Sequence, residues 1–338
     1  MKKKPFISII IANFNGLDFI KSCLKSIFRS VYKNFEVIVV DNGSTDGSVE
    51  YLKHLETEKK ITLITNKKNL GYTFAMNQGA KRARGKLLFF LNNDTIISKN
   101  CLREIAKGFQ KPIWAAQCKI RQLEKKNEIQ TIGALLVPSL AIVVGQKGRG
   151  QIDKGQYDQK QLVIPAGAAQ LIKADFFRKL GRFDSDYFIG YEDIDLAYRI
   201  YLSQKEVFLL PKAIVYHHDH LIQPMSKQRA KIGAFQITKN VLLFIIRNYQ
   251  FGNFIKYIFP VLLYNFLISF APIFKRNFYP LLGFFGGLGW TIWHLPSSLA
   301  KRKIVGKMRK ASDKEIFNQV GANLNFSQIL RYIRKGSI

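Results

Sequence analysis

Two carboxylates stand at the ends of apolar runs. Val37-Ile38-Val39-Val40 stops at Asp41, and Leu87-Leu88-Phe89-Phe90-Leu91 stops at Asn92-Asn93-Asp94. A run of large apolar residues bounded by polar ones reads as a strand buried on both faces, and ligands of open α/β sheets sit outside the carboxyl ends of such strands. Asp94 is therefore placed to hold a hard cation or a phosphate-bound metal; the plainer alternative is a turn or a helix cap. For Asp41 the alternatives are a ligand contact and a cap for the turn at Ser44 and Thr45. A second acidic group, Glu192-Asp193-Ile194-Asp195, opens a helical pattern, where the dipole favours negative charge. Asp195 and Arg199 are spaced to pair at i,i+4. Three of the five histidines fall in Tyr216-His217-His218-Asp219-His220. A zinc cluster is conceivable from that spacing, but Cys23, Cys101 and Cys118 are scattered and support neither a zinc site nor a disulfide framework. The cysteine usage fits a reducing compartment.

The elements that must carry these groups alternate along the first third of the chain. Residues 6–12 read as a strand, and the lysines before them do not make a secretory signal, since the apolar run is minimal and no small-residue cleavage site follows. Leu17, Ile20, Leu24, Ile27 and Phe28 share a helical face. Strands at 35–40, 61–65 and 86–91 alternate with helices at 49–55, 73–83 and 98–109, and a further strand lies near 113–118. Such alternation implies right-handed crossovers and a mainly parallel sheet, with Asp41 and Asp94 at one edge. Residues 119–162 are less regular and read as an insertion near the site. From 163 the pattern tightens into a helix at 174–180 and a strand at 213–216.

The charge of +30 implies attraction to a polyanion. Residues 251–338 combine 13 Lys or Arg and 2 Asp or Glu with the most apolar segments of the chain, a pairing that favours an anionic membrane surface over nucleic acid. Residues 257–274 and 278–299 approach the length of a span, but Pro260, Pro272, Pro280 and the glycines at 283–289 are expected to interrupt them, giving interfacial or re-entrant helices. The alternative is a buried helical subdomain serving a homodimer.

With these stretches in order, the chain resembles family 2 glycosyltransferases, inverting nucleotide-sugar transferases, and among them most closely the rhamnosyltransferase-like members. The matching segments are Ile11-Ala12-Asn13-Phe14-Asn15, residues 40–48, Asn69-Leu70-Gly71 with Asn77-Gln78-Gly79, Asn92-Asn93-Asp94, and 183–199. The resemblance implies an α/β fold of the nucleotide-diphospho-sugar transferase (GT-A) type, with a Rossmann-like, mainly parallel sheet and C-terminal membrane-associated helices. Residues 1–248 would form the catalytic domain, 1–118 its donor half and 119–248 its acceptor half, with 249–338 a basic and apolar membrane-associating segment. It implies donor-nucleotide contacts from Asn13, Asn15, Asp41, Asn69, Gly71, Asn77, Asn92 and Asn93, with Asp41 accepting the N3–H of uracil or thymine. Asp94 and His217 would hold Mn or Mg, Asp94 standing where the family has the last acid of an Asp-x-Asp motif, although both preceding positions here are amides. Asp193 would be the general base, with Glu192 beside it to bind acceptor or orient the base. The expected reaction is inverting transfer of a sugar, rhamnose or similar, from a UDP- or dTDP-sugar to a lipid-linked or cell-surface glycan, at the cytoplasmic face of the membrane. The competing readings are a basic nucleic-acid or lipid-surface binding module without transferase activity, and a glycoside hydrolase. Adjacent carboxylates on one helical turn do not straddle a bond as a hydrolytic pair must.

Overall fold

The computed structural model describes residues 4–109, 113–159, 161–218 and 226–322. The chain forms two compact units: residues 1–134, 146–185 and 206–219 make the first, and residues 135–145, 186–205 and 220–338 the second.

In the first unit, β1 (Ile7–Asn13), α1 (Leu17–Phe28), β2 (Phe35–Asp41), α2 (Ser48–Thr57), β3 (Thr62–Thr65), α3 (Tyr72–Arg82) and β4 (Leu87–Leu91) follow one another. The strands pair in parallel as β3-β2-β1-β4. All five residues of β4 are buried, as a central parallel strand requires. Helix α1 buries Ile20, Cys23, Leu24 and Ile27, a single stripe at helical spacing that packs into the same core as Ile9, Val39 and Phe89.

Past β4 the sheet departs from the expected mainly parallel arrangement. β5 (Thr95–Ile97), α4 (Cys101–Gly108), β6 (Ala115–Gln122) and β7 (Ile129–Thr131) come next, followed by the two-stranded β8 (Ala134–Val137) and β9 (Ile142–Gln146), β10 (Ala169–Lys173) and α5 (Ala174–Lys179). β10 runs antiparallel to both β4 and β6, and β7 is antiparallel to β6. β11 (Val207–His217) returns parallel to β6 and carries β5 antiparallel at the sheet edge. The nine-stranded sheet is therefore mixed. The short link between β6 and β7 suits an antiparallel pair, which needs no crossover. The stretch read as an irregular insertion contains β7, β8 and β9.

The second unit is mainly helical. Its helices are α6 (Glu192–Leu202), α7 (Lys227–Asn248), α8 (Phe251–Phe270), α9 (Tyr279–Trp293), α10 (Leu295–Met308) and α11 (Asp313–Val320). Of the prolines expected to interrupt the apolar segments, Pro260 and Pro280 do not, whereas Pro272 lies where α8 gives way. α8 continues through Pro260. Pro272 opens the short 3-10 turn after α8 and Pro280 the first turn of α9, where a missing N–H costs nothing. Residues 251–275 are long and apolar enough to cross a membrane, with mean hydropathy 1.8 and only 17% of the apolar window buried. They are the single such stretch among the described residues.

Candidate active site

The carboxyl ends of β1, β2 and β4 are joined by a chain of amides. Asn13 Nδ2 donates to Asp41 Oδ2 at 2.9 Å, and Asn93 Nδ2 donates to Asn13 Oδ1 at 2.8 Å. Gly16 makes this possible, because a Cβ there would collide with Asn93 Nδ2. Asn93, the residue before Asp94, thus serves as a donor. An aspartate at that position would set its charge against the Asn13 carbonyl oxygen.

Asp41 is 0% exposed. Its Oδ1 accepts the N–H groups of Gly43 and Ser44 at 3.1 and 2.8 Å, and its Oδ2 accepts Ser44 Oγ at 2.7 Å as well as Asn13. The turn-capping alternative is thus present in the structure, and direct contact with a base would require that turn to open. Asn15, in the left-handed region at φ 48, accepts Thr45 N–H at 2.8 Å and donates its own N–H to Ser44 Oγ at 2.9 Å. Asn69 caps Gly71 N–H at 2.9 Å. Gly71, at φ 91, begins α3, and its carbonyl accepts Asn42 Nδ2 at 3.1 Å. Asn77 bonds both backbone groups of Phe183, donating to its carbonyl at 2.8 Å and accepting its N–H at 3.2 Å. The backbone of Asn92 bonds to Ala168 and accepts Thr95 Oγ1.

Asp94 and His217 meet because β5 and β11 pair antiparallel with Thr95 opposite His217. His217 Nε2 lies 3.2 Å from Asp94 Oδ1, and His217 Nδ1 bonds Gln130 Oε1 at 3.0 Å. An amide oxygen can only accept, so Nδ1 carries the hydrogen. In that tautomer Nε2 turns a lone pair toward the carboxylate, so both groups can serve as ligands to one cation. An imidazole whose second nitrogen is held by a carbonyl is the usual form of a metal-ligating histidine. Among the described residues no third His, Cys, Asp or Glu completes a cluster. The pair suits a cation that takes its other ligands from phosphate oxygens and water, as Mg and Mn do. His218 pairs instead with Glu124 at 2.8 Å, and Asp219 and His220 lie outside the described residues.

The second acidic group belongs to α6, in the other unit. Asp195 is buried and fully engaged: Arg199 Nη2 lies 2.6 Å from Oδ2, while Oδ1 accepts Tyr187 OH at 3.1 Å and Asn248 Nδ2 at 2.8 Å. The expected i,i+4 pair is present, with two further partners that the spacing did not indicate. Glu192 is also buried, and its Oε2 has no hydrogen-bond partner among the described residues. Burial, reinforced by the charges of Asp193 and Asp195, pushes its carboxyl up to about 8. Asp193 is half-buried, and its Oδ1 accepts the Ile194 N–H at 2.8 Å. Gln130 escaped the sequence reading as a member of this arrangement, since it lies 87 residues from His217.

The parallel β3-β2-β1-β4 half-sheet with polar groups at its carboxyl edge, continued by a mixed half carrying Asp94 and His217, defines a nucleotide-diphospho-sugar transferase fold. Residues 8–181, just over half of the chain, match the model of glycosyl transferase family 2, and the chain belongs to that family. An uncharacterized glycosyltransferase of Haemophilus influenzae is 30% identical over 137 residues, covering 40% of this chain and 38% of its own. The poly-beta-1,6-N-acetyl-D-glucosamine synthase of Staphylococcus epidermidis is 24% identical over 282 residues, 79% of this chain and 66% of its own. The chain thus spans less than two thirds of the length of these relatives. Among solved structures, GalNAc-T7 with UDP, GalNAc and Mn2+ superposes with a TM-score of 0.60 at 16% identity, over 75% of this chain and 49% of that one. S. aureus TarS 1–349 in complex with UDP gives 0.52 at 16% identity, over 79% and 73%. The mannosyltransferase PcManGT of Pyrobaculum calidifontis, in complex with GDP-Man and Mn2+, gives 0.52 at 16% identity, over 99% and 88%.

Proposed function

We propose that the protein is an inverting, divalent-cation-dependent hexosyltransferase that moves a sugar from a UDP- or dTDP-sugar to a glycan acceptor. The observation that carries this reading is the Asp94–His217 pair, tied through Asn93 and Asn13 to Asp41 at the carboxyl edge of the parallel strands. UDP in two of the superposing structures supports a uridine-type donor, and Mn2+ in two supports the cation. Asn13, Asn15, Asp41, Asn69, Gly71, Asn77, Asn92 and Asn93 shape the nucleotide pocket in this proposal. Asp94 and His217 would hold Mn or Mg, which would supply positive charge for the departing diphosphate.

Asp193 is the proposed base. Of the three acids at the start of α6, Asp195 is locked by Arg199, Tyr187 and Asn248, and Glu192 is buried and protonated at neutral pH. Asp193 is the least enclosed. It takes the proton of the acceptor hydroxyl as that oxygen bonds to the anomeric carbon and the bond to the diphosphate breaks on the opposite face. A neutral Glu192 next to it can donate a hydrogen bond to the acceptor without adding a second negative charge.

The acceptor is proposed to be a lipid-linked or cell-surface glycan. The synthase relative in S. epidermidis supports a polysaccharide product, without singling out rhamnose as the sugar. Exposed aromatic residues on α8 and α9, among them Phe259 at 70% and Trp293 at 83% exposure, and the exposed Lys303, Lys307 and Lys310 support work at an anionic membrane surface on its cytoplasmic face. The test is Asp193→Asn: it should abolish sugar transfer from the donor while UDP binding persists, and retained turnover would remove Asp193 from the mechanism.

A further inference from the structure

The backbone that delivers Glu192 and Asp193 is strained. Phe188, Gly190 and Tyr191 have φ of 60, 79 and 69, and two of these three carry side chains that disfavour the left-handed region. Such a conformation persists only where its surroundings hold it. The holders come from two consecutive residues in the middle of α7. Asn240 Nδ2 donates to the carbonyls of Ile189 and Gly190 at 2.9 and 2.8 Å. Lys239 Nζ donates to the Asp186 carbonyl at 2.6 Å and approaches that of Tyr187 at 3.5 Å. Four carbonyls of the segment 186–190 are thereby fixed from one helix.

Both holders are buried, at 1% and 3% exposure. Burying an amide and an ammonium is costly unless their bonds repay it, so a helix needed only for packing would carry apolar residues there. The Lys239 ammonium is backed by the Trp290 ring, 5.0 Å away on α9. α9 lies close against α7 through Gly287, where a Cβ would stand 2.7 Å from the Phe235 carbonyl oxygen. The far end of the segment is anchored too: the Asp186 carboxylate pairs with Arg247 at 2.7 Å and Lys301 at 2.6 Å.

We propose that Lys239 and Asn240 are positioning residues for sugar transfer: by holding the carbonyls of 186–190 they fix the entry to α6 and so aim Glu192 and Asp193. The inference deepens the reading of Asp193 as the base and rests on it for its catalytic consequence. The clamp itself is a separate, measurable fact.

The experiment compares the full chain with Asn240→Leu, which keeps the volume and removes the donors, and with Asn240→Gln, which keeps the amide. Hydrogen exchange of the 186–193 backbone should accelerate about tenfold or more in Asn240→Leu, with exchange in the first unit within about twofold of wild type. UDP release from UDP-N-acetylglucosamine with Mn should show kcat lowered about 100-fold and donor KM little changed, since misplacement of about 1 Å costs that much. Asn240→Gln should recover part of kcat. Wild-type exchange in 186–193 overturns the clamp, and an unchanged kcat beside accelerated exchange overturns its part in aiming Asp193. A loss of UDP affinity in step with kcat overturns it as well, by revealing general damage. If the wild-type chain neither binds UDP nor releases it, the glycosyl-transfer reading falls and the exchange comparison alone decides the clamp.

Discussion

Replacing Glu192 by glutamine should make the protein more resistant to alkaline pH. In the folded chain burial, with the neighbouring charges of Asp193 and Asp195, keeps this carboxyl protonated up to about 8, against an ordinary value of 4.5. Between those two values the folded state binds a proton that the unfolded state has released, so stability falls as pH rises through the window and is level on either side of it. At about 1.36 kcal/mol per pH unit, the loss across the window reaches at most about 5 kcal/mol. Glutamine has nearly the same shape and does not titrate. Urea unfolding followed by tryptophan fluorescence at pH 5, 6.5 and 8.5 should show the wild type losing several kcal/mol more than Glu192→Gln between the lowest and highest pH, on the order of 3–5 kcal/mol. Parallel pH dependence of the two proteins would refute the neutral, buried state of Glu192.

Two further outcomes follow from the geometry. Gly16→Ala places a methyl group against Asn93 and Asn13, which should destabilise the chain by about 1–3 kcal/mol and weaken UDP binding; an unchanged melting temperature and affinity would show that the amide chain is not held by that close approach. The double change Phe259→Glu with Trp293→Glu replaces two of the most exposed apolar side chains of α8 and α9. It should lower co-sedimentation with phosphatidylserine vesicles about tenfold or more, and undiminished sedimentation would place the lipid contact elsewhere or abolish it.

The parts of the fold that could be read in the sequence are those where burial leaves a one-dimensional trace. β4 is a continuous apolar run because it is covered on both faces, and its abrupt polar end fixed where Asp94 must lie. The α1 stripe and the Asp195–Arg199 pair follow from helical spacing alone. Strand direction leaves no such trace: Ala169-Gln170-Leu171-Ile172-Lys173 reads the same whether β10 runs with its neighbours or against them. The bond from Asn93 to Asn13 left no trace because the two residues are 80 apart in sequence. The clamp on the α6 entry was invisible for the same reason. Lys239 and Asn240 look like polar residues on an ordinary helix face, and their partners are backbone carbonyls, which have no residue type to recognise. Pro260 misled in the opposite sense, since the helix accommodates it.

The central claim is that Asp94 and His217 bind a divalent cation together with a nucleoside diphosphate. Isothermal titration of UDP into the wild type, Asp94→Asn and His217→Ala, each with and without Mn, tests it directly. Mn should tighten UDP binding to the wild type by about tenfold or more, and either substitution should remove most of that gain, in line with the roughly 10–100-fold effects typical of lost metal-site contacts. Equal UDP affinity with and without Mn in the wild type, or a gain that survives both substitutions, would contradict it.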